Sequence, residues 1–201
     1  MKMTRPPGIF PAGLISFFRG LWYTESMKNV YLIGMMGAGK TSIGRIAAEK
    51  AHCTFVDTDR MIEETAGKTV SEIFETEGEE GFRRRETEML RSLSKKRNRV
   101  VSTGGGIVVK EENIELMRKS GTVIWLKRDL NRVIQNPRIR RRPLLAKDVN
   151  VIFRLMEERE PSYKKACHFV VYNDQNRLDA VNEILRIIGR GMFPERRHKN
   201  K

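Results

Sequence analysis

Residues 30–41 read Val-Tyr-Leu-Ile-Gly-Met-Met-Gly-Ala-Gly-Lys-Thr. Val30 to Ile33 are β-branched, aromatic or aliphatic, a run suited to a strand buried on both faces. Gly34 ends it. The glycines at 34, 37 and 39 let the backbone turn tightly enough to aim successive N–H groups at one point, where phosphate oxygens are held. Lys40 then supplies a point charge for the β- and γ-phosphates, and the Thr41 hydroxyl is placed for Mg²⁺. Ile43, Ile46 and Ala47 recur at helical spacing, so the next helix buries one face and turns its positive dipole end toward the anion. A chance glycine-rich turn is the competing reading, and the flanking strand and helix argue against it. A nucleoside triphosphate is the expected ligand, its phosphates held by Gly37, Ala38, Gly39, Lys40, Thr41 and Ser42.

Length and charge bound the rest. At 201 residues the chain suits one α/β domain with room for inserted lobes. A formal charge of +14 raises nucleic-acid binding as a function class. The position of that charge argues otherwise. Residues 127–147 hold eight Lys/Arg against one Asp, residues 190–201 five against one Glu, and residues 1–26 three against one Glu. These segments supply thirteen of the fourteen excess charges, so the basicity belongs to one internal loop and two tails. An arginine-rich loop inside a phosphate-binding domain is more economically read as clamping nucleotide phosphates than as gripping a duplex. The run Arg196, Arg197, His198, Lys199 and Lys201 reads as a solvated basic tail.

Cys53 and Cys167 fit no metal spacing and read as free thiols in a reducing compartment, so a cytoplasmic location is expected. His52, His168 and His198 each lack a partner at ligand spacing and read as structural or exposed. Residues 1–26 look foreign to the domain. Their apolar-leaning stretch, Ile9 to Phe18, is too short to span a bilayer. It also lacks a clean cleavage signal for secretion. Met27 precedes the first strand as a candidate start, which makes the leader a disordered or mis-assigned segment. A transit segment or a membrane-surface anchor stays open, because acidic residues are nearly absent there.

From Met27 onward, strands alternate with helices. Thr54-Phe55-Val56 runs into Asp57-Thr58-Asp59, and carboxylates at the carboxyl end of a parallel strand lie where open α/β sheets bind ligands. Alternation along an extended segment is expected to point Asp57 and Asp59 the same way, one toward Mg²⁺ and one toward a substrate hydroxyl. Helix capping with a solvated charge is the competing reading. Thr69 with Glu72 forms a capping-box pattern, so a short helix begins there. Phe82, Met89, Leu90 and Leu93 make a second, amphipathic helix of about Glu79 to Lys96. Arg83, Arg84 and Arg85 lie near its start, where they oppose the dipole. A solvated face paired with Glu79, Glu80, Glu86 and Glu88 is preferred for Arg84 and Arg85.

Val100-Val101-Ser102 leads into Thr103-Gly104-Gly105-Gly106, where three glycines leave no side chain between backbone and ligand. A helix over about 111–119 and a strand over 122–126 follow. Asn136 to Leu145 is too charged and too proline-punctuated for a core and reads as a long functional loop. The helix from about 149 is expected to end near Arg159, ahead of Pro161. Residues 169–172 make a fifth strand and residues 178–188 a closing helix.

These pieces carry a family resemblance. GMMGAGKT at 34–41, DTD at 57–59, GFRR at 81–84, TGGG at 103–106, RRPLL at 141–145 and EREPSY at 158–163 stand in the order and approximate spacing of shikimate kinases. The resemblance covers residues 28–188. It implies an α/β fold of the nucleoside-monophosphate-kinase type: a three-layer P-loop fold with a five-stranded parallel sheet, a lid (about 136–148) and a small substrate-binding lobe (about 59–93), within a domain of residues 27–189. The implied reaction moves the ATP γ-phosphoryl group to the 3-hydroxyl of shikimate. Thr41 and Asp57 would serve Mg²⁺, directly and through water. Asp59 would hold the substrate hydroxyls and accept the proton. Arg83 and Arg159 would bind the substrate carboxylate, with Glu86 orienting Arg83 and the backbone of Gly104, Gly105 and Gly106 holding the ring. Lys40 and the lid's Arg142 would neutralise the transferring phosphoryl group. The resemblance further implies small-molecule partners only, no nucleic acid or membrane, and a monomer.

The chain departs from the family pattern where an arginine often stacks on adenine before the lid. Gln135 stands there, with Arg132 and Arg138 as possible substitutes, and the 173–177 loop matches poorly. Two other readings stay open: a kinase of gluconate or another polyol, which the paired Arg83 and Arg159 disfavour, and a nucleotide-dependent regulator that uses its basic segments on nucleic acid.

Overall fold

Five parallel strands, β1 (Asn29–Ile33), β2 (Thr54–Asp57), β3 (Arg99–Ser102), β4 (Gly121–Lys127) and β5 (Phe169–Tyr172), form one sheet in the order β2-β3-β1-β4-β5. This is a computed structural model that describes residues 27–136 and 148–192. Around the sheet lie α1 (Lys40–Lys50), α2 (Thr58–Ala66), α3 (Val70–Ser94), α4 (Glu111–Ser120), α5 (Leu130–Ile134), α6 (Val151–Ala166) and α7 (Arg177–Met192). The α/β class and the five-stranded parallel sheet are as expected.

Strand β1 shows why its apolar run is unbroken. Tyr31 and Ile33 join a core with Leu90, Met117, Trp125, Ile152 and Tyr163, which seats α3, α4 and α6 on one face. Val30 and Leu32 point the other way, into a core with Ile43, Ala47, Val181 and Ile184 from α1 and α7. Alternate residues thus fill opposite layers, and neither face offers water a place. A smaller cluster of Ile62, Ile73 and Phe82 joins α2 to α3 beyond the sheet edge.

The capping box at Thr69 is formed in both directions, with Glu72 N donating to Thr69 Oγ1 and Thr69 N to Glu72 Oε2. The two helices expected over this region are one assigned element, α3, broken in conformation at Gly78 (φ 68°). The second of them therefore does begin at residue 79. Three expectations need correction. First, α6 does not end before Pro161 but runs through it to Ala166. The missing N–H and the ring clash are local costs. Tyr163 and Ala166, both 0 % exposed, tie the distal turn into the core and outweigh them. Second, Asp59 is not on an extended segment: it lies in the first turn of α2, and Asp57 is that helix's N-cap. Third, Arg85 pairs with Glu77 at 2.8 Å rather than with one of the four acids named for it. Arg84 is exposed, as preferred.

Candidate active site

The carboxyl ends of β1, β2 and β3 converge, and the chemistry gathers there. After β1 the backbone takes positive φ at Gly34 (135°), Gly37 (81°) and Gly39 (99°). A Cβ on Gly34 would collide with the Leu126 carbonyl, and one on Gly39 would stand 2.8 Å from Asn173 Nδ2, so neither position admits a side chain. Gly39 is the N-cap of α1 and offers no side-chain cap, which leaves the first-turn N–H groups for an anion. Lys40, 8 % exposed, donates from Nζ to the carbonyls of Gly34 (2.6 Å) and Met35 (2.9 Å). Ala38 is buried, and the Ser42 hydroxyl donates to the Gly39 carbonyl.

Next to the loop, the Thr41 hydroxyl donates to Asp57 Oδ2 at 2.8 Å and lies 3.3 Å from the hydroxyl of Ser102. A carboxylate and two hydroxyls are the hard oxygen donors that Mg²⁺ accepts beside phosphate oxygens and water. Residues Thr41 and Asp57 fit that ion, and Ser102, not singled out from sequence, stands with them.

The three glycines each turn their α-carbon to a different charged group. A Cβ on Gly104 would lie 2.7 Å from Asp59 Oδ1 and 2.8 Å from Glu86 Oε1. One on Gly105 would lie 3.8 Å from Arg159 Nη1, and one on Gly106 would overlap the Arg83 guanidinium. Arg83 is clamped in place, with ion pairs of 2.6 Å to Glu86 and 3.0 Å to Glu79. Burial works against its charge, but Glu86 and Glu79 outweigh that, so its pKa lies above the usual guanidinium value. For Glu86, 0 % exposed, burial dominates. The Asp59 carboxylate adds to it, Arg83 and Arg159 oppose it, and the pKa is raised to about 7.

The described residues therefore bring together Lys40, Thr41, Asp57, Asp59, Arg83, Glu86, Arg159 and the glycine loop. Arg142, and with it residues 137–147 of the expected lid, lies outside the described residues, as does Arg138. Gln135 is exposed at the end of α5, and Arg132 donates to the carbonyl of Asp174. His168 is structural, its Nδ1 accepting from Val123 N, and both cysteines are free thiols. His198 is outside the described residues.

Sequence reasoning missed three further groups. Asn173, 8 % exposed at the end of β5, donates to the Ala38 carbonyl at 2.8 Å and so braces the phosphate loop from two strands away. Arg128, just after β4, brings Nη1 to 3.5 Å from the Gly37 carbonyl. Tyr163 stacks on Trp125 (centroids 5.5 Å apart) and donates from its hydroxyl to the Gly105 carbonyl. The one available signal was position, since Asn173 and Arg128 follow strands at the ligand end of the sheet.

A sequence model of the family described as shikimate kinase matches residues 36–189. The chain belongs to the shikimate kinase family. It is 44 % identical over 163 residues to the shikimate kinase of Clostridium botulinum (strain Eklund 17B / Type B), covering 81 % of this chain and 98 % of that one. To the shikimate kinase of Symbiobacterium thermophilum it is 43 % identical, covering 78 % and 94 %. Among solved structures, shikimate kinase from Acinetobacter baumannii in complex with shikimate superposes with a TM-score of 0.77 at 32 % identity, covering 89 % of this chain and 99 % of that one. Shikimate kinases are ATP-dependent transferases of aromatic amino-acid biosynthesis, and the chain is an ATP-binding kinase of that pathway.

Proposed function

We propose that this chain transfers the γ-phosphoryl group of ATP to the 3-hydroxyl of shikimate, giving shikimate 3-phosphate and ADP, with the site residues in the following roles. The phosphate loop, Gly37 to Ser42, cradles the ATP phosphates, and Lys40 leaves its carbonyl partners to neutralise charge on the transferring group. Thr41 and Asp57 hold Mg²⁺, directly and through water, and the ion when bound offsets the charge of the β- and γ-phosphates. Asp59 holds the acceptor hydroxyls and takes the proton released as the new P–O bond forms. Arg83 and Arg159 bind the substrate carboxylate in charge-assisted contacts, Glu86 orients Arg83, and Gly104, Gly105 and Gly106 hold the ring. Arg142 closes from the lid, excludes water and adds a second cation at the phosphoryl group.

The observation that carries this reading is the glycine loop itself. Consecutive glycines set an acid (Asp59), one arginine (Arg159) and a second arginine (Arg83) around one small cradle beside the phosphate loop. That charge order suits an anionic polyol, because a neutral sugar has nothing to offer two arginines. We assign catalysis to residues 27–189, with the substrate lobe at about 59–93 and the lid at about 136–148, and treat 1–26 and 190–201 as appendages. The working unit is a monomer in the cytoplasm that acts on small molecules, without nucleic acid or membrane partners. Among the described residues no helix is long and apolar enough to cross a membrane. ADP release from Mg-ATP, followed with shikimate, quinate and gluconate supplied separately, tests the reading. Turnover is expected with shikimate alone, and turnover with gluconate but not shikimate overturns it.

A further inference from the structure

Tyr163 is one of the fully buried polar side chains that touch the glycine loop, with Thr58 and Glu86. It is 0 % exposed, yet its hydroxyl donates a 2.5 Å hydrogen bond to the Gly105 carbonyl and lies 3.5 Å from Met35 Sδ in the phosphate loop. Burial raises its pKa, so the phenol stays a donor through the neutral range. Arg159 lies one turn earlier on α6, on the same face, and reaches the same glycine.

The consequence follows from peptide geometry. No peptide bond described here is cis. In a planar trans peptide the carbonyl of Gly105 and the N–H of Gly106 point in opposite directions. Holding one therefore aims the other. Glycine on both sides of that bond leaves the plane free to rotate, since no Cβ resists a flip of the dihedrals that flank it. The Tyr163 hydroxyl is what selects one orientation. It turns the Gly106 N–H away from α6, at a residue whose α-carbon abuts the Arg83 guanidinium. Among the described residues no hydrogen bond takes up that N–H.

We propose that Tyr163 is a positioning residue that, by gripping the Gly105 carbonyl, aims the Gly106 N–H as a third donor beside Arg83 and Arg159 at the substrate carboxylate. The inference rests on the assignment of those two arginines to that carboxylate. It also explains why α6 continues through Pro161: the turn beyond the proline delivers the hydroxyl, while the turn before it delivers Arg159.

Tyr163→Phe keeps the ring and its stack on Trp125 and removes the hydroxyl alone. In the full-length chain the shikimate KM is expected to rise about tenfold, the loss typical of a hydrogen bond to a charged group. The ATP KM and kcat should stay at their parental values, while Tm falls by a few degrees because the buried Gly105 carbonyl loses its donor. An unchanged shikimate KM overturns the inference, and so does a fall in Tm accompanied by equal changes in both KM values, which marks a structural role. Arg159→Ala, assayed in parallel, separates the two claims. If it raises the shikimate KM while Tyr163→Phe does not, the positioning role alone fails. If neither variant moves it, the carboxylate assignment fails and takes the positioning role with it.

Discussion

Asp59 and Glu86 aim carboxylate oxygens at the same point, the missing side chain of Gly104: Oδ1 and Oε1 stand 2.7 Å and 2.8 Å from where its Cβ would be. Like charges this close, in a buried setting, favour a proton on one of them. Glu86 takes that role, with its pKa raised to about 7 by burial first. The groups facing it are Arg83 from its own helix, Asp59 from α2 and Arg159 from α6. Between the ordinary carboxyl pKa and about 7 the folded protein holds a proton that the unfolded chain has released. This group's stabilisation is therefore fully present below pH 4.5 and is lost as pH rises through about 7, roughly 3 kcal/mol in all. Denaturant melts of the parent and of Glu86→Gln across pH 4.5–8 should differ in slope, with the variant flatter. Parallel curves would show that Glu86 does not titrate in this window.

Gly106→Ala places a methyl group inside the Arg83 guanidinium. Ion pairs to Glu79 and Glu86 hold that guanidinium on both sides, so it cannot swing away cheaply. If Arg83 holds the substrate carboxylate as proposed, its misplacement by about 1 Å costs about a hundredfold. The kcat/KM for shikimate should fall by about that factor while ADP affinity, read by calorimetry, stays put. Loss of ADP binding as well would mean that the loop had collapsed instead.

Asp59→Asn keeps the shape of the side chain and removes its basicity. Turnover should fall by a factor of about 10² to 10⁴, the usual worth of a positioned general base, with ATP affinity nearly intact. Full activity in this variant would remove Asp59 from the proton-accepting role.

Asn173→Ala releases the Ala38 carbonyl from its 2.8 Å brace. A buried hydrogen bond lost on one side is worth about 1–3 kcal/mol, so ADP should bind about tenfold more weakly. The shikimate KM should not change, because Asn173 touches the nucleotide side alone. The reverse pattern would place it in the substrate lobe.

Much of this site is legible in the residues, and the reason is locality. The phosphate loop is constrained by its own backbone: three positive φ values in six residues demand glycine whatever surrounds them. The Thr69–Glu72 box likewise closes within four residues. Groups whose partners are remote could not be read in this way. Asn173 meets a carbonyl 135 residues away and Tyr163 one 58 residues away, and no spacing rule connects them. Helix α6 outruns its expected end because proline's local cost is visible in sequence whereas the burial of Tyr163 is not. Asp59 comes to face Gly104 by a helical turn rather than by strand alternation, so the expected route was wrong.

The stack of Trp125 on Tyr163 gives the enzyme a built-in optical reporter. The indole stacks, with 21° between the ring planes, on a phenol that grips the glycine loop, and the Lys127 ammonium stands 4.7 Å from its ring centroid. The chain has two tryptophans, so with Trp22 replaced by Phe all indole emission arises from this one buried position. Occupancy of the glycine cradle can then be followed in real time as a change in fluorescence, without labelling the protein or coupling its product to a second enzyme.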